Sequence, residues 1–307
     1  MSNDTLSATA PAPQPAKPVK EKKPASLWSD AWYDLRRNPV FIIGGIMLGL
    51  LVIISAFPGL FDTVGVEPST CSLAQARKGI SAEHWFGTDN LGCDVYSRVI
   101  HGAKVSIIVG IVSAVVTGLV GGALGLLAGF FGRWVDVLLS RVAEIFFAIP
   151  SILGALLILA VIGRDNAGIA SVVLALSLLA WPMILRIMRA SVITAKHQDY
   201  VMAARALGAG PGRIMMRHIL PNAVAPVIVV STINLGAFIA AEAALSFLGV
   251  GIQSPQISWG LMIADARNRF LEAPLPLLFP ALFLSLTILS VVMLGDAVRD
   301  ALDPKLR

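Results

Sequence analysis

Residues 105–131 read VSIIVGIVSAVVTGLVGGALGLLAGFF, and no charged side chain interrupts them. A bilayer core about 30 Å thick is crossed by about 20 apolar residues in helical form, so this stretch is long enough to span one. In lipid every backbone N–H and C=O must be paired within the chain, which leaves helices or closed barrels. Barrel strands would alternate apolar and polar residues, and this run does not. Five further windows share its character: 41–59, 145–163, 167–185, 223–241 and 276–295. None of the six contains Asp, Lys or Arg; Glu144 and Glu242 sit just outside their edges. Of 307 residues, 56% are apolar and only 14% charged, whereas soluble domains average about 45–50% and about 25%. So few charges could not keep a soluble fold of this size wet, which excludes an ordinary cytosolic enzyme and a disordered chain. The expected fold class is an all-α membrane protein with six transmembrane helices.

Orientation follows from Lys and Arg placement, which favours the cytoplasmic side. With the N-terminus inside, the inner segments hold 17 of these residues and the outer segments 7. Both termini are therefore expected to be cytoplasmic. The net charge of +5 reads as inner-loop charge, not as a nucleic-acid footprint. Residues 1–25, rich in Ala, Pro and Lys, read as a disordered cytosolic tail. A signal peptide is excluded by the long segment ahead of residue 41, so 41–59 reads as an uncleaved first span. Within 26–40, Trp28, Trp32 and Leu35 recur at i, i+4 and i+7 ahead of Arg36 and Arg37. That pattern suits a short helix lying on membrane lipid at the inner leaflet. The remainder divides into an external loop, 60–103, and a five-helix core, 104–307.

Cys71 and Cys93 both fall in the external loop. The outer face is oxidising, so a disulfide between them is expected. Gly87 and the Asp89–Asn90 pair mark tight turns, and Trp85, Phe86 and Tyr96 suit an interface. His84, Asp89 and Asp94 read as turn and surface chemistry; no metal site is expected.

Glycines at 118/122 and at 121/125/129 repeat the small-xxx-small spacing that lets helices approach closely in lipid. Arg141 and Glu144, three apart, meet on one helix face as a structural ion pair. A fifth helix starting near Pro221 puts Glu242 about 31 Å along its axis, near the outer interface, and Ser231, Thr232 and Asn234 near mid-membrane. These four are candidate pathway residues; bonding to a neighbouring helix or a helix end is the competing reading. Pro150, Pro182, Pro226 and Pro280 mark spans that can bend around a cavity.

The polar segment HQDYVMAARALGAGPGRIMMRHILPN, 197–222, lies between spans four and five on the cytosolic side, within a loop of 190–222. It reads as two short helices. In the first, Tyr200, Ala203, Ala204 and Leu207 fall on one face, while Asp199, Met202 and Arg205 face elsewhere. Asp199 suits a helix start, Gly208 a stop, and Pro211 the first turn of the next helix, which Pro221 is expected to end. Ala203, Ala204 and Gly208 carry almost no bulk, as a helix slotted into a partner's groove requires.

This segment resembles the EAA loop of ATP-binding-cassette importer permeases, through Ala203, Ala204, Gly208 and Ile219-Leu220-Pro221. The likeness is to the C-type subunit of the dipeptide/oligopeptide/nickel importers. It extends to HWFGTDNLG (84–92), EAALSFLGVG (242–251), SWG (258–260) and Arg37-Asn38-Pro39. Met202 stands where the motif usually has Glu, and Cys93 where many relatives have Arg. The resemblance implies a type I importer permease fold in a bacterial inner membrane, and a non-catalytic half of a pore. It implies four partners outside the chain: a second homologous permease, two cytosolic ATPases carrying ATP and Mg, and an external solute-binding protein. ATPase coupling would fall to Asp199, Tyr200, Met202, Ala203, Ala204, Arg205, Leu207, Gly208 and Arg213. No G-x-x-x-x-G-K-[ST] loop is present, so ATP hydrolysis by that chemistry is not expected here. The cargo implied is a di- or oligopeptide, with nickel or another small solute as the alternative. An ion-gradient transporter would place ionisable residues at mid-depth or show two related halves, and neither is found. A membrane enzyme would need a convergent set that His84, His101, His197 and His218 do not supply.

Overall fold

The computed structural model describes residues 27–163 and 166–302. The expected tail 1–25 lies outside them, as do Arg164, Lys305 and Arg307. The described chain is helical: α1 Leu27–Leu35, α2 Pro39–Ala56, α3 Val95–Phe131, α4 Arg133–Phe147, α5 Ser151–Ile162, α6 Ile169–Lys196 and α7 Asp199–Ala206. There follow α8 Pro211–Arg213, a π-helical stretch Ile214–Ile219, α9 Leu220–Ala223, α10 Ala225–Phe247, α11 Trp259–Ala266 and α12 Leu275–Leu302. α1 and α2 are separated by a turn, and Asn38 caps α2 by accepting from Val40 N at 2.9 Å.

Among the described residues five helices (α2, α3, α6, α10 and α12) are long and apolar enough to cross a membrane. The window 145–163 differs from expectation: it is not one straight helix but part of a pair, α4 and α5, bent by 86°. Pro150 explains the break, because the residue before a proline is pushed out of the helical region. Pro150 itself sits at φ −57°, ψ 120°. The other three prolines leave their helices continuous; Pro182 and Pro280 lie within α6 and α12, and Pro226 in the first turn of α10. Arms of 15 and 12 residues measure roughly 22 and 18 Å, and only together do they rise about 30 Å.

Packing fixes the direction of each helix. A Cβ added at Gly121, Gly125 or Gly129 of α3 would meet Ile184, Met188 and Val192 of α6 in turn. The two helices therefore run parallel, and the bent pair between them is the return crossing, which completes six passes. The same glycines confirm the expected 121/125/129 seam. Gly118 and Gly122 do not form a second one: the first faces Ser231 and the second has nothing within 4 Å. On α10 and α12, Gly236 lies by Val291 and Gly295 by Ile233, so these two are antiparallel.

The external loop is ordered by short 3-10 turns and the Cys71–Cys93 disulfide. Asp89 Oδ1 accepts from Leu91 N and Cys93 N at 2.8 and 2.9 Å, closing the turn around Gly92. Asp94 caps α3 by accepting from Ser97 N at 2.7 Å, while its other oxygen meets His84 Nδ1 at 3.0 Å. Phe86 is stacked on Phe279 of α12 at 3.8 Å between ring centroids, so it is a packing residue rather than an interface anchor. Trp259, fully buried, donates from Nε1 to Val99 O at 2.9 Å and ties α11 to α3.

Candidate functional site: a cytosolic projection and a cavity at a broken helix

The projection begins where α6 ends at Lys196, whose Nζ donates to Phe130 O at 2.6 Å and ties the ends of α3 and α6 together. Asp199 occupies the first turn of α7, where a carboxylate suits the exposed N–H groups. α7 ends in a Schellman motif: Gly208 N donates to Arg205 O and Ala209 N to Ala204 O, both at 3.0 Å. Gly208 has φ +82°, the left-handed region that this cap requires and that glycine adopts without cost. One face of α7 is anchored. Val201 is 0% exposed and packs with Val192, Ile214 and Ile219. Ala204 is also buried, which corrects its expected place on the outward face. The outward face comprises Tyr200, Ala203 and Leu207, the last 88% exposed, and Met202, which faces elsewhere as expected, is exposed as well. Asp199, Arg205 and Arg213 are exposed around it.

The second arm of the projection also departs from expectation. Pro221 does not end a helix. The helical path from Pro211 runs through Pro221 and, after a bend at Val224, continues in α10. Proline has no N–H and its ring crowds the carbonyl four residues back. The wide turn Ile214–Ile219, closed by Leu220 N donating to Met215 O, absorbs that misfit. Ile219, fully buried, holds this turn beneath α7.

On the other side of α6, the bend between α4 and α5 opens a cavity of about 490 Å³. Phe146, Phe147, Pro150 and Ile152 line it from the bend, Leu179 and Met183 from α6, and Asn234 and Phe238 from α10. α4 is moored by Asp136, which accepts from Arg189 Nη2 of α6 at 2.6 Å and also from its Nε. Arg141 and Glu144 pair at 2.8 Å on the exposed face of α4, as expected. Arg186 lies over the Phe147 ring, 3.7 Å from its centroid.

A family model described as binding-protein-dependent transport system inner membrane component matches residues 121–307. A second, the N-terminal transmembrane domain of oligopeptide transport permease C, matches 26–67. The dipeptide transport system permease protein DppC of Alkalihalophilus pseudofirmus is 38% identical, over 97% of this chain and 96% of its own length. The oligopeptide transport system permease protein OppC of Bacillus subtilis is 38% identical, over 93% and 92%.

The chain belongs to the family of binding-protein-dependent transport system inner membrane components.

The glutathione transport system permease protein GsiD of Pectobacterium atrosepticum is 35% identical over 94% of this chain and 95% of its own. An inward-facing structure of the MetNI methionine ABC transporter superposes with a TM-score of 0.54 at 20% identity, covering 66% of this chain and 96% of that one. It shares the fold. As an inner membrane component the chain is a multi-pass transport subunit.

Within this component the four candidate pathway residues scatter. Asn234 lines the cavity at the bend. Thr232 donates to Ile228 O of its own helix at 2.9 Å, and Ser231 lies against Gly118 of α3. Glu242 is 0% exposed and accepts from Ser106 of α3 at 2.9 Å and Ser246 at 2.8 Å. Ser246 in turn accepts from Ile252 N at 2.9 Å, so Glu242 clasps α3, α10 and the loop that follows. Ser106 and Ser246 escaped the sequence reading; the signal was the SF of EAALSFLGVG, four residues after the glutamate. On the outer face a second cleft of about 490 Å³ holds Asp89, Arg98 and Asp265. Burial raises the Asp265 carboxyl pKa above its ordinary value, Arg98 opposes this and Asp89 adds to it.

Proposed function

We propose that this chain is the C-type permease subunit of an ATP-driven importer of di- and oligopeptides. It forms half of the pore with a second homologous permease, and two cytosolic ATPases hold the ATP and Mg. A solute-binding protein delivers cargo to the outer face. The observation that carries the coupling role is α7: anchored at Val201, it presents Tyr200, Met202, Ala203 and Leu207 to the cytosol. Large apolar side chains exposed on a cytosolic projection are a protein-docking surface. The relatives whose names specify dipeptide, oligopeptide and glutathione systems support a peptide cargo.

The mechanism follows from how the projection is connected. ATP-driven closure of the ATPase pair would displace α7. α7 is packed on the π-helical turn, which leads through α9 to α10, and the seam glycines hold α6 against α3. A push on α7 therefore reaches α6 and α10 as rigid bodies. Two of the three walls of the bend cavity belong to those helices, so their movement would change which side the cavity faces.

The test is reconstitution of the complex in proteoliposomes. Uptake of a labelled tripeptide should require ATP and the binding protein, and replacing Gly208 by Ile should release the ATPase. Uptake driven by a proton gradient with no ATPase present would overturn the proposal.

A further inference from the structure

The cavity at the α4–α5 break contains a chemical mismatch. Its walls are Phe, Leu, Ile, Met, Ala and Pro side chains, and into this lining two polar groups are set, the Ser151 hydroxyl at the bend and the Asn234 amide on α10. Asn234 makes no side-chain hydrogen bond among the described residues, whereas its neighbour Thr232 bonds back to its own helix. An amide in a membrane helix with no partner is disfavoured unless something else bonds it. A volume of about 490 Å³ is that of a small-molecule site, for which roughly 300–1,000 Å³ is usual.

Polarity is distributed along the cavity. α6 runs outside to inside and α10 the reverse, so Met183, Phe147 and Asn234 mark its inner end, and Leu176, Ala155 and Leu245 its outer end. Arg186 follows Met183 by three residues, on the same face of α6. Its guanidinium covers the ring of Phe147, a lining residue, and forms no ion pair among the described residues. The inner end thus holds an unpaired amide with an unpaired cation beside it, and apart from Ser151 the rest of the lining is apolar.

We propose that this cavity is a cargo subsite for the C-terminal residue of a peptide. The apolar walls take its side chain, the Asn234 amide bonds its backbone, and Arg186 faces its carboxylate. The proposal rests on the peptide-import reading above and adds to it a location and a polarity.

The experiment uses the whole complex in proteoliposomes, with benzoylphenylalanine in place of Ile152 at the cavity rim. The probe is a radiolabelled Ala-Ala-Phe, competed by the unlabelled free acid or by its C-terminal amide. Irradiation during ATP-driven turnover should transfer label to this chain, and the free acid should compete about tenfold better than the amide. Arg186→Gln should erase that difference. Asn234→Leu should cut labelling about tenfold, the value of one hydrogen bond, and Asn234→Gln should restore it in part. If vesicles take up no peptide with ATP and binding protein, the import reading itself fails. If uptake proceeds while the rim captures only phospholipid, or Asn234→Leu and Arg186→Gln both label as wild type, the subsite alone is overturned.

Discussion

Val201 lies within the eight-residue helix α7 and Leu207 caps its C-terminus, and the two should fail in different ways when truncated. Leu207 is 88% exposed and Val201 0% exposed. Leu207→Ala removes three carbons that touch almost nothing in this chain, so its thermal stability should move by less than about 0.5 kcal/mol. If Leu207 is buried in an ATPase groove, those carbons contribute about 0.8 kcal/mol each, about 2.4 kcal/mol in all, or about 50-fold in Kd. Val201→Ala removes two carbons from a closed site against Val192, Ile214 and Ile219. The transfer loss and the cavity together should cost about 2–3 kcal/mol of local stability. The assay pairs two readouts on detergent-purified protein: ATPase affinity by surface capture, and hydrogen exchange across Asp199–Ala206. Leu207→Ala should weaken affinity with exchange unchanged, and Val201→Ala should accelerate exchange first. Equal loss of exchange protection in both variants, or an unchanged Kd in Leu207→Ala, would refute the assignment of the two faces.

At the α3–α6 seam, a Cβ on Gly125 would lie 2.5 Å from Leu185 O and 2.7 Å from Met188 Cβ. Gly125→Ala must therefore part the helices by about 1 Å and should cost about 1–3 kcal/mol. Gly122→Ala, with open space around it, should instead stabilise by about 0.5–1 kcal/mol; the temperature at which each purified variant aggregates gives the two signs. Glu242→Leu would leave the Ser106 and Ser246 hydroxyls without their acceptor and should cost about 2–6 kcal/mol. Glu242→Gln, which still accepts, should retain most of that stability in the same melt. Opening the Cys71–Cys93 bridge, which closes a separation of 22 residues, should cost about 3 kcal/mol in the chain-entropy account. A Cys71→Ser/Cys93→Ser variant melting as wild type would show the external loop to be held by other contacts.

Much of the architecture was legible because lipid leaves few options. Uncharged runs had to be helices, and the Gly121, Gly125 and Gly129 spacing already named a close-packed face. The helix stop at Gly208 was readable for a similar local reason, since one backbone conformation suits one residue. The errors came where two readings shared a sequence. The run 145–163 is apolar throughout, yet Pro150 divides it. Pro221 looked like a terminator, yet a wide turn accommodates it. On α7, Ala203 and Ala204 are chemically identical, and only packing separates outward from inward. The inward face was set by Val201, which the pattern of small residues passed over.

The amino-acid order by itself determined that the chain crosses a membrane repeatedly, which side its termini occupy, and where a small-residued helix projects into the cytosol. Those are consequences of local chemistry: the cost of unpaired backbone and of charge in hydrocarbon is incurred residue by residue. Only the tertiary structure decided that α3 and α6 run parallel, that Glu242 is clasped by serines from two elements, and that the bend at Pro150 faces Asn234. Each of these depends on side chains far apart in sequence meeting across helices. The order of residues sets which contacts are affordable, but not which of them a close-packed interior can make at the same time.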